Sequence, residues 1–288
     1  MCERELRSAL SERALHGLQI DTALAVRVLK EFIRDEVGKV GFNRVVVALS
    51  GGIDSALTCA LAAAAMGPAN VLAVLMPYRT SNPASQADAE LVVAQIGVRS
   101  RLIDITPAVD GYLNSLDAKV SDQRQGNVMA RMRMIALYDQ SEDFQGLVVG
   151  TSNKTELLLG YGTLFGDMAS AVNPIGDLYK TQIREVAAGL DVPAPILHKA
   201  PTADLWVGQS DEQELGFTYG EADQILYLLI DEWWPPRQIV QEGFDEMLVR
   251  RITQRVRGSQ FKRRLPIIAK LSDRTIDQDF RFPRDWGM

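Results

Sequence analysis

The chain has 288 residues and is 47% hydrophobic, which is enough apolar material for one large domain or two small ones. A formal net charge of −6 argues against a general nucleic-acid binder, so we expect no nucleic-acid partner. No apolar run approaches the roughly 20 residues of a membrane-spanning helix, and the N-terminus lacks the apolar stretch of a signal peptide. We therefore expect a cytoplasmic protein without membrane contact.

The two cysteines, Cys2 and Cys59, are too few for a disulfide framework. Cys59 lies in an apolar segment and is expected to be a small buried side chain. Cys2 could act as an N-terminal nucleophile after removal of Met1, but such a site needs a supporting domain, and the first predicted strand leaves no room for one. Because the chain also has only two histidines, we do not expect a zinc site.

Apolar periodicity and turn residues predict helices and strands that alternate along the chain. The first 20 residues are weakly patterned and are interpreted as a short helix or arm. Short apolar runs predict strands at residues 45–49, 71–76, 101–105 and 147–151. Apolar residues at helical spacing predict helices at residues 21–38, 56–66, 85–96, 109–116, 127–138, 152–159, 181–190, 221–231, 236–241 and 245–257.

Three segments have no regular pattern: a polar loop at 77–83, a disorder-prone stretch at 119–126 and a glycine-rich stretch at 160–176. Alternating buried strands and helices are typical of an α/β fold with a doubly wound, mostly parallel sheet. We expect a single domain over residues 1–288, with the C-terminal helices packed on the sheet and a tail over residues 258–288. Ligands of such sheets bind beyond the carboxyl ends of the strands.

The most informative stretch is residues 45–55, where an apolar run leads into Ser50-Gly51-Gly52 and then Asp54-Ser55. Two glycines allow the backbone to approach an anion closely, and the free N–H groups of the next helix then point at it. No Lys follows Gly52, so the common phosphate-loop motif is absent. Asp54 in the first helical turn is best explained as a Mg²⁺ ligand beside a polyphosphate. An ordinary Gly/Ser-rich turn is the alternative.

The motif S-G-G-x-D-S after a strand resembles the pyrophosphate loop of the ATP pyrophosphatase family, whose fold is similar to that of the adenine nucleotide alpha hydrolases. Further motifs narrow the resemblance to the NAD synthetase family. They are G-N at 126–127, R-x-R-M at 131–134, G-T-S-N-K-T-E at 150–156, G-D at 166–167, P-I-G-D-L-Y-K-T at 174–181 and P-T-A-D-L at 201–205. The resemblance runs from about residue 29 to residue 264.

The resemblance implies that the nicotinate carboxylate of deamido-NAD attacks the α-phosphorus of ATP. An NAD-adenylate and pyrophosphate form, and ammonia then displaces AMP to form the amide. Adenylation depends mostly on positioning and on charge stabilisation, which backbone amides, Mg²⁺ and cationic side chains supply.

The resemblance also implies site residues. Asp54 and Lys180 would be catalytic, and Asp54 and Glu156 would bind Mg²⁺. Deamido-NAD would contact Arg131, Asp167 and Lys262. ATP, the co-substrate, would contact Ala48, Leu49, Ser50, Gly51, Gly52, Ile53, Asp54, Ser55, Arg79, Thr151, Lys180 and Thr202.

The sequence departs from the short ammonia-dependent pattern at Leu164, Ala171 and Phe261, where that pattern has Lys, Asp and His. The motifs are more similar to the synthetase domain of the larger glutamine-dependent enzymes. Those enzymes carry a glutaminase domain in front, whereas the first motif here begins near residue 45. Free ammonia or a separate glutaminase subunit is therefore expected to supply the nitrogen. The resemblance also implies a homodimer.

Each residue also has a structural interpretation. Arg131 and Arg133 could form a solvated helix face. Glu156 could complement a helix dipole, and Lys180 could pair with Asp177. Two other functions stay open: another adenylating enzyme of the ATP pyrophosphatase family, such as a tRNA-modifying one, and a catalytically silent nucleotide-binding module. The acidic composition argues against the first, and the presence of both carboxylates with Lys180 argues against the second.

Overall fold

The computed structural model describes residues 11–117, 120–202, 204–206, 208–264, 266–276 and 279; Cys2 lies outside these residues. Within them the strands are β1 Val45–Ala48, β2 Val71–Leu75, β3 Arg99–Leu102 and β4 Leu147–Val149. The α-helices are α1 Glu12–Gly17, α2 Thr22–Gly38, α3 Ile53–Met66, α4 Pro83–Ile96, α5 Thr106–Asn114, α6 Asp122–Phe144, α7 Lys154–Leu159, α8 Lys180–Ala188, α9 Ala194–Leu197, α10 Asp211–Leu215, α11 Tyr219–Leu226, α12 Pro236–Gln241 and α13 Glu246–Gly258.

The four strands form one parallel sheet in the order β3-β2-β1-β4. In the centre of the sheet, Val46 of β1 lies between Leu72 of β2 and Val148 of β4. The chain runs from β1 outward through β2 to β3 and then returns to place β4 on the other side of β1. The order in which strands are added to the sheet therefore reverses between β1 and β4. Open α/β sheets bind their ligands at such a switch point. The predicted doubly wound parallel sheet is confirmed.

Alternate strand residues point to opposite faces of the sheet, and helices cover both faces. Val45 and Val47 pack in a buried cluster with α2, α3, α4 and α8, whereas Val46 packs on the other face with α5 and α6. A third buried cluster joins α1, α7 and α10 to α13. Cys59 lies in the first cluster, and burial raises the pKa of its thiol to about 12. The expectation that Cys59 is a buried apolar side chain is confirmed.

Several predicted boundaries were wrong. Helix α6 begins at Asp122, with Ser121 as its N-cap, so residues 122–126 are helical rather than disordered. Helix α4 begins at Pro83 and is capped by Asn82, not by Ser85. The third strand is Arg99–Leu102 instead of 101–105, because its backbone pairs with β2 although its side chains are exposed. In each case the segment is polar and therefore lacks the apolar pattern of a helix or strand. Its bounds are determined instead by its backbone hydrogen bonds and capping residues.

The C-terminal half is helical, as predicted. Helix α11 continues into a π-helical turn, Tyr227–Asp231, so the predicted helix over residues 221–231 exists but changes its hydrogen-bond pattern near its end. Helix α12 has the predicted bounds. Among the described helices, none combines the length and the apolar composition that are needed to span a bilayer.

Candidate active site

A cavity of about 600 Å³ opens at the carboxyl ends of β1, β2 and β4. The turn after β1 forms one wall, and the loop after β2 and helix α6 form another. The segment after β4 and the starts of α7 and α8 complete the floor. All three loops that the sequence places at the carboxyl ends of the strands therefore meet in one cavity, which is large enough for a nucleotide.

The turn between β1 and α3 is shaped by close backbone contact. Gly51 has a φ of 79°, and a Cβ atom there would lie 2.1 Å from the carbonyl oxygen of Ser85. Ser55 Oγ donates to the Gly52 carbonyl at 2.9 Å and accepts from the Ser50 N–H at 3.2 Å, which closes the turn internally. Helix α3 has no side-chain cap, so the N–H groups of its first turn are available to an anion.

Lys180 lies between two carboxylates at the floor of the cavity. Its ammonium group donates to Asp54 Oδ2 and lies 3.3 Å from Glu156 Oε1. It also lies 5.2 Å from the centre of the Tyr219 ring. The structure thus brings Asp54, Glu156 and Lys180 together in one group. The alternative partner Asp177 instead pairs with Lys154, at 3.1 Å.

The protonation of this group is set by burial and by the three charges together. Burial raises the pKa of Glu156, the charge of Lys180 opposes the rise, and the charge of Asp54 adds to it, with a net upward shift. Burial alone would lower the pKa of Lys180, but Asp54 and Glu156 outweigh it and the net shift is upward. The ammonium therefore stays charged at neutral pH, in a region where the field of a cation is weakly screened.

Two carboxylates on one side of a polyphosphate-sized cavity fit a Mg²⁺ ion. Asp54 and Glu156 supply hard oxygen donors, and Mg²⁺ characteristically takes one or two carboxylates and completes its shell with water and phosphate oxygens. Among the described residues, no cluster of three or more His, Cys, Asp or Glu side chains has the geometry of an all-protein metal site. The donor set thus suits a metal that arrives with a nucleotide.

Asp167 and Lys262 also line the cavity. The Thr163 N–H donates to Asp167 Oδ1 at 2.8 Å, and burial of the surrounding region raises the pKa of this carboxyl. Lys262 Nζ donates to the carbonyl oxygens of Gly160 and Gly162, at 2.8 and 2.7 Å. Lys262 therefore fastens the glycine-rich segment, and it also lines the cavity.

Most other predicted site residues also line this cavity. They are Ala48, Leu49, Ser50, Gly52, Ser55, Thr151 and Thr202. Gly51 and Ile53 belong to the same turn but are not among the lining residues, because Gly51 packs against α4. Leu164, Ala171 and Phe261, where the sequence departs from the ammonia-dependent pattern, are likewise absent from the described lining.

Two predicted arginines lie elsewhere. Arg79 pairs with Asp110 and lies over the Tyr78 ring, outside the described lining of the cavity. Arg131 is exposed, donates to the Leu164 carbonyl at 3.3 Å and borders a smaller cavity of about 190 Å³ between α5 and α6. The structure does not bring either side chain into the main cavity.

Sequence reasoning missed Arg133, which lies two residues after Arg131 and therefore faces another direction on α6. Arg133 lines the main cavity and donates to the Met76 carbonyl at 3.0 Å, which ties the loop after β2 to the helix. Arg255 of α13 also lines the cavity. The R-x-R pattern pointed to this part of α6, but helical phase relative to the sheet decides which of the two arginines lines the main cavity.

Comparisons with known proteins show the family of the chain. Residues 25–266 match the family described as NAD synthase. A protein of Trichlorobacter lovleyi named NH(3)-dependent NAD(+) synthetase is 56% identical, over 94% of this chain and 98% of its own length.

Two solved structures are similar at lower identity. A structure described as NMN synthetase from Francisella tularensis has a TM-score of 0.77 and 31% identity, and covers 87% of this chain and 99% of its own. The NH3-dependent NAD synthetase from Campylobacter jejuni has a TM-score of 0.74 and 32% identity, and covers 88% of this chain and 100% of its own. Sequence, fold and cavity agree, and the chain belongs to the NAD synthase family.

Proposed function

We propose that the protein is an ammonia-dependent NAD synthetase, which converts deamido-NAD, ATP and ammonia into NAD, AMP and pyrophosphate. One observation carries the proposal: Lys180, Asp54 and Glu156 meet in one cavity with the uncapped start of α3. Anion-binding N–H groups, a buried cation and two carboxylates are the features that nucleotidyl transfer requires.

In the first step an oxygen of the nicotinate carboxylate attacks the α-phosphorus of ATP. The bond to the bridging oxygen breaks, and pyrophosphate leaves with the electron pair. The N–H groups at the start of α3 and the Lys180 ammonium stabilise the charge that develops on the leaving group. In the second step ammonia attacks the activated carboxyl carbon, AMP leaves, and the nitrogen loses a proton as the amide forms.

The proposed roles follow the places of the residues in the cavity. Thr151, Lys180, Thr202 and the turn over residues 48–55, in which Gly51 and Ile53 act through the backbone rather than as lining residues, would bind ATP, and Asp54 and Glu156 would hold Mg²⁺. When bound, Mg²⁺ neutralises phosphate charge and polarises the phosphoryl group. Asp167 and Lys262 are proposed for the second substrate, because they line the same cavity as the turn after β1. Arg131 is proposed only for a part of the dinucleotide that extends to the smaller cavity between α5 and α6.

The nitrogen source follows from the relatives. Curated relatives that match nearly the whole chain over nearly their whole length are named NH(3)-dependent, which excludes the expected alternative of a separate glutaminase subunit. The similarity of the motifs to glutamine-dependent enzymes does not extend to the donor. We therefore propose free ammonia, with ammonium as its source in solution.

A second candidate concerns the length of the substrate. The solved structure with 31% identity is described as an NMN synthetase, so the same amide could be formed on a mononucleotide. The chemistry at Asp54 and Lys180 would be unchanged, because only the part of the substrate beyond the nicotinate nucleotide differs. The 56% identity to an NAD(+) synthetase favours the dinucleotide.

The test is a nitrogen-source assay with purified protein and Mg-ATP, in which NAD, AMP and pyrophosphate are followed. Deamido-NAD is supplied with ammonium or with glutamine, and nicotinate mononucleotide replaces deamido-NAD in a parallel reaction. We expect equal amounts of NAD and AMP with ammonium, and background levels with glutamine. A higher kcat/KM for the mononucleotide would select the second candidate, and absence of AMP in all reactions would refute both.

We also propose a cytoplasmic homodimer. Leu24, Val28 and Phe32 recur at helical spacing on α2, and 45%, 55% and 38% of their surfaces are exposed. An apolar stripe of this kind along one helix is typical of a surface that another chain covers. A second copy of this chain is the proposed partner.

A further inference from the structure

We propose that Asn153 is a positioning residue for adenylation, which fixes the orientation of both carboxylates that face Lys180. The inference rests on the proposed function and deepens it. Asn153 lies in the turn between β4 and α7 and is completely buried. It belongs to none of the sets of residues for which the sequence motifs imply a role.

Asn153 contacts each carboxylate through a different group. Its side-chain Nδ2 donates to Asp54 Oδ1 at 2.8 Å. Its backbone N–H donates to Glu156 Oε2 at 3.2 Å. Its side-chain Oδ1 accepts from the Glu156 N–H at 2.9 Å and so caps α7. A single buried residue thus connects the turn after β1 with the first turn of α7.

These contacts leave the amide group one favourable orientation. Because Oδ1 is engaged by the first turn of α7, Nδ2 must point toward Asp54. An amide rotated by 180° would place an oxygen against a carboxylate and an NH₂ group against an N–H donor. Asp54 Oδ1 and Glu156 Oε2 are therefore held by Asn153, and the other two oxygens, Oδ2 and Oε1, face Lys180. Asn153 decides which carboxylate oxygens are presented to the cavity.

Helix capping by itself does not require this residue. Asn, Asp and Ser are about equally good N-caps, because each offers an oxygen to the first-turn N–H groups. Only Asn adds an N–H₂ donor that reaches a second carboxylate. Substitutions that keep the cap and remove the donor therefore separate a structural role from a positioning role.

The decisive variant is Asn153→Ser, with Asp245→Ser as a matched control. Asp245 caps α13 through the Leu248 N–H, at 2.8 Å, and its side chain is not among the described lining of the cavity. Ammonium-dependent NAD formation is measured across Mg²⁺ concentrations. We expect Asn153→Ser to lower kcat about 10- to 100-fold, as is usual when the support of a metal ligand is lost, and to raise the Mg²⁺ concentration for half-maximal rate. Asp245→Ser should change neither quantity.

The dependence of the Asn153→Ser effect on Asp54 distinguishes a positioning role from a structural one. Loss of a purely structural role would lower the rate equally with and without the Asp54 carboxylate. In an Asp54→Asn background, Asn153→Ser should lower the residual rate less than about twofold, because the carboxylate that the Asn153 side chain orients is already gone and the backbone N–H to Glu156 is kept. Asn153→Asp, which keeps both size and cap, serves if the Ser variant does not fold and should also lose at least about 10-fold. Wild-type kcat and Mg²⁺ dependence in the Ser and Asp variants, or undiminished losses in the Asp54→Asn background, would overturn the inference. An inactive wild-type protein would instead refute the proposed function.

Discussion

At the scale of single residues, Lys180 connects both carboxylates of the cavity floor through its ammonium group. It is the first residue of α8, it donates to a carboxylate 126 positions earlier in the chain, and only 9% of its side chain is exposed. A buried ammonium paired with two carboxylates adds little to the stability of the fold, because desolvation offsets much of the attraction. A functional role explains its presence better than a structural one. Its position beside the turn after β1 supplies the cation that the phosphate-binding turn itself lacks.

We expect Lys180→Met to lower kcat/KM for ATP about 100- to 1000-fold, because a preorganised charge that stabilises the departing pyrophosphate is removed. AMP formation under initial-rate conditions measures the effect. Lys154→Met is the matched control, since Lys154 also pairs with two carboxylates, Asp177 at 3.1 Å and Asp231 at 2.8 Å, but is not among the described cavity residues. Equal losses in both variants would contradict a specific role for Lys180.

At the scale of elements, the turn between β1 and α3 determines where the phosphate-binding N–H groups lie. Gly51 combines a left-handed φ of 79° with close contact to the backbone of α4. Gly97 at the end of α4 has a similar φ, 77°, but a Cβ there would meet nothing within 4 Å. The two glycines therefore differ in their surroundings rather than in their backbone conformation.

We expect Gly51→Ala to reduce the free energy of unfolding by clearly more than Gly97→Ala, for which left-handed strain alone costs about 1 kcal/mol. The difference arises because Gly51→Ala also forces the Ser85 carbonyl, and with it α4, away from the turn. Urea denaturation measures both changes, and the KM for ATP should rise only for Gly51→Ala. Equal destabilisation would mean that the contact with α4 is unimportant.

Much of this element-level arrangement could be predicted from sequence, for identifiable reasons. Continuous apolar runs such as residues 71–76 are typical of buried parallel strands. The two glycines and Asp54 identify the turn between β1 and α3. Elements without that contrast were missed: the start of α6 is polar, and the side chains of β3 are exposed. Which arginine of α6 faces the cavity depends on how the helix packs on the sheet, so Arg131 was predicted and Arg133 was found.

The contacts at the floor of the cavity were beyond sequence reasoning as well. The motifs placed Asp54, Glu156 and Lys180 in one site by resemblance alone. The role of Asn153 as both helix cap and donor to Asp54 depends on the distance between β1 and β4, which are adjacent only in the folded sheet. Long-range geometry of this kind is decided by topology, because the two strands are separated by about a hundred residues.

At the scale of the whole molecule, two layers of helices enclose the sheet and a further helical cluster closes one end of the cavity. The apolar stripe of Leu24, Val28 and Phe32 on α2 is exposed in the described part of the chain, and a second copy of the chain is its proposed cover. We expect a mass of about twice 31.8 kDa in sedimentation equilibrium.

Val28→Asp should convert this dimer to a monomer, because a charge would then be buried at the interface, while the fold is retained since 55% of the side chain is exposed. Met247→Asp on α13, where 70% of the side chain is exposed, is the control and should leave the mass unchanged. A wild-type monomer, or a Val28→Asp dimer as stable as the wild type, would show that the stripe is not the interface.

In the proposed reaction, this cavity joins a carboxylate oxygen of deamido-NAD to the α-phosphorus of ATP. The most direct measurement uses deamido-NAD that carries ¹⁸O in both oxygens of its nicotinate carboxylate, with Mg-ATP and ammonium, and mass spectrometry of the products. If the carboxylate is adenylated, one ¹⁸O appears in the phosphate of AMP and the other stays in the amide of NAD. Unlabelled AMP, with the label in inorganic phosphate or lost to water, would contradict adenylation at Asp54 and Lys180.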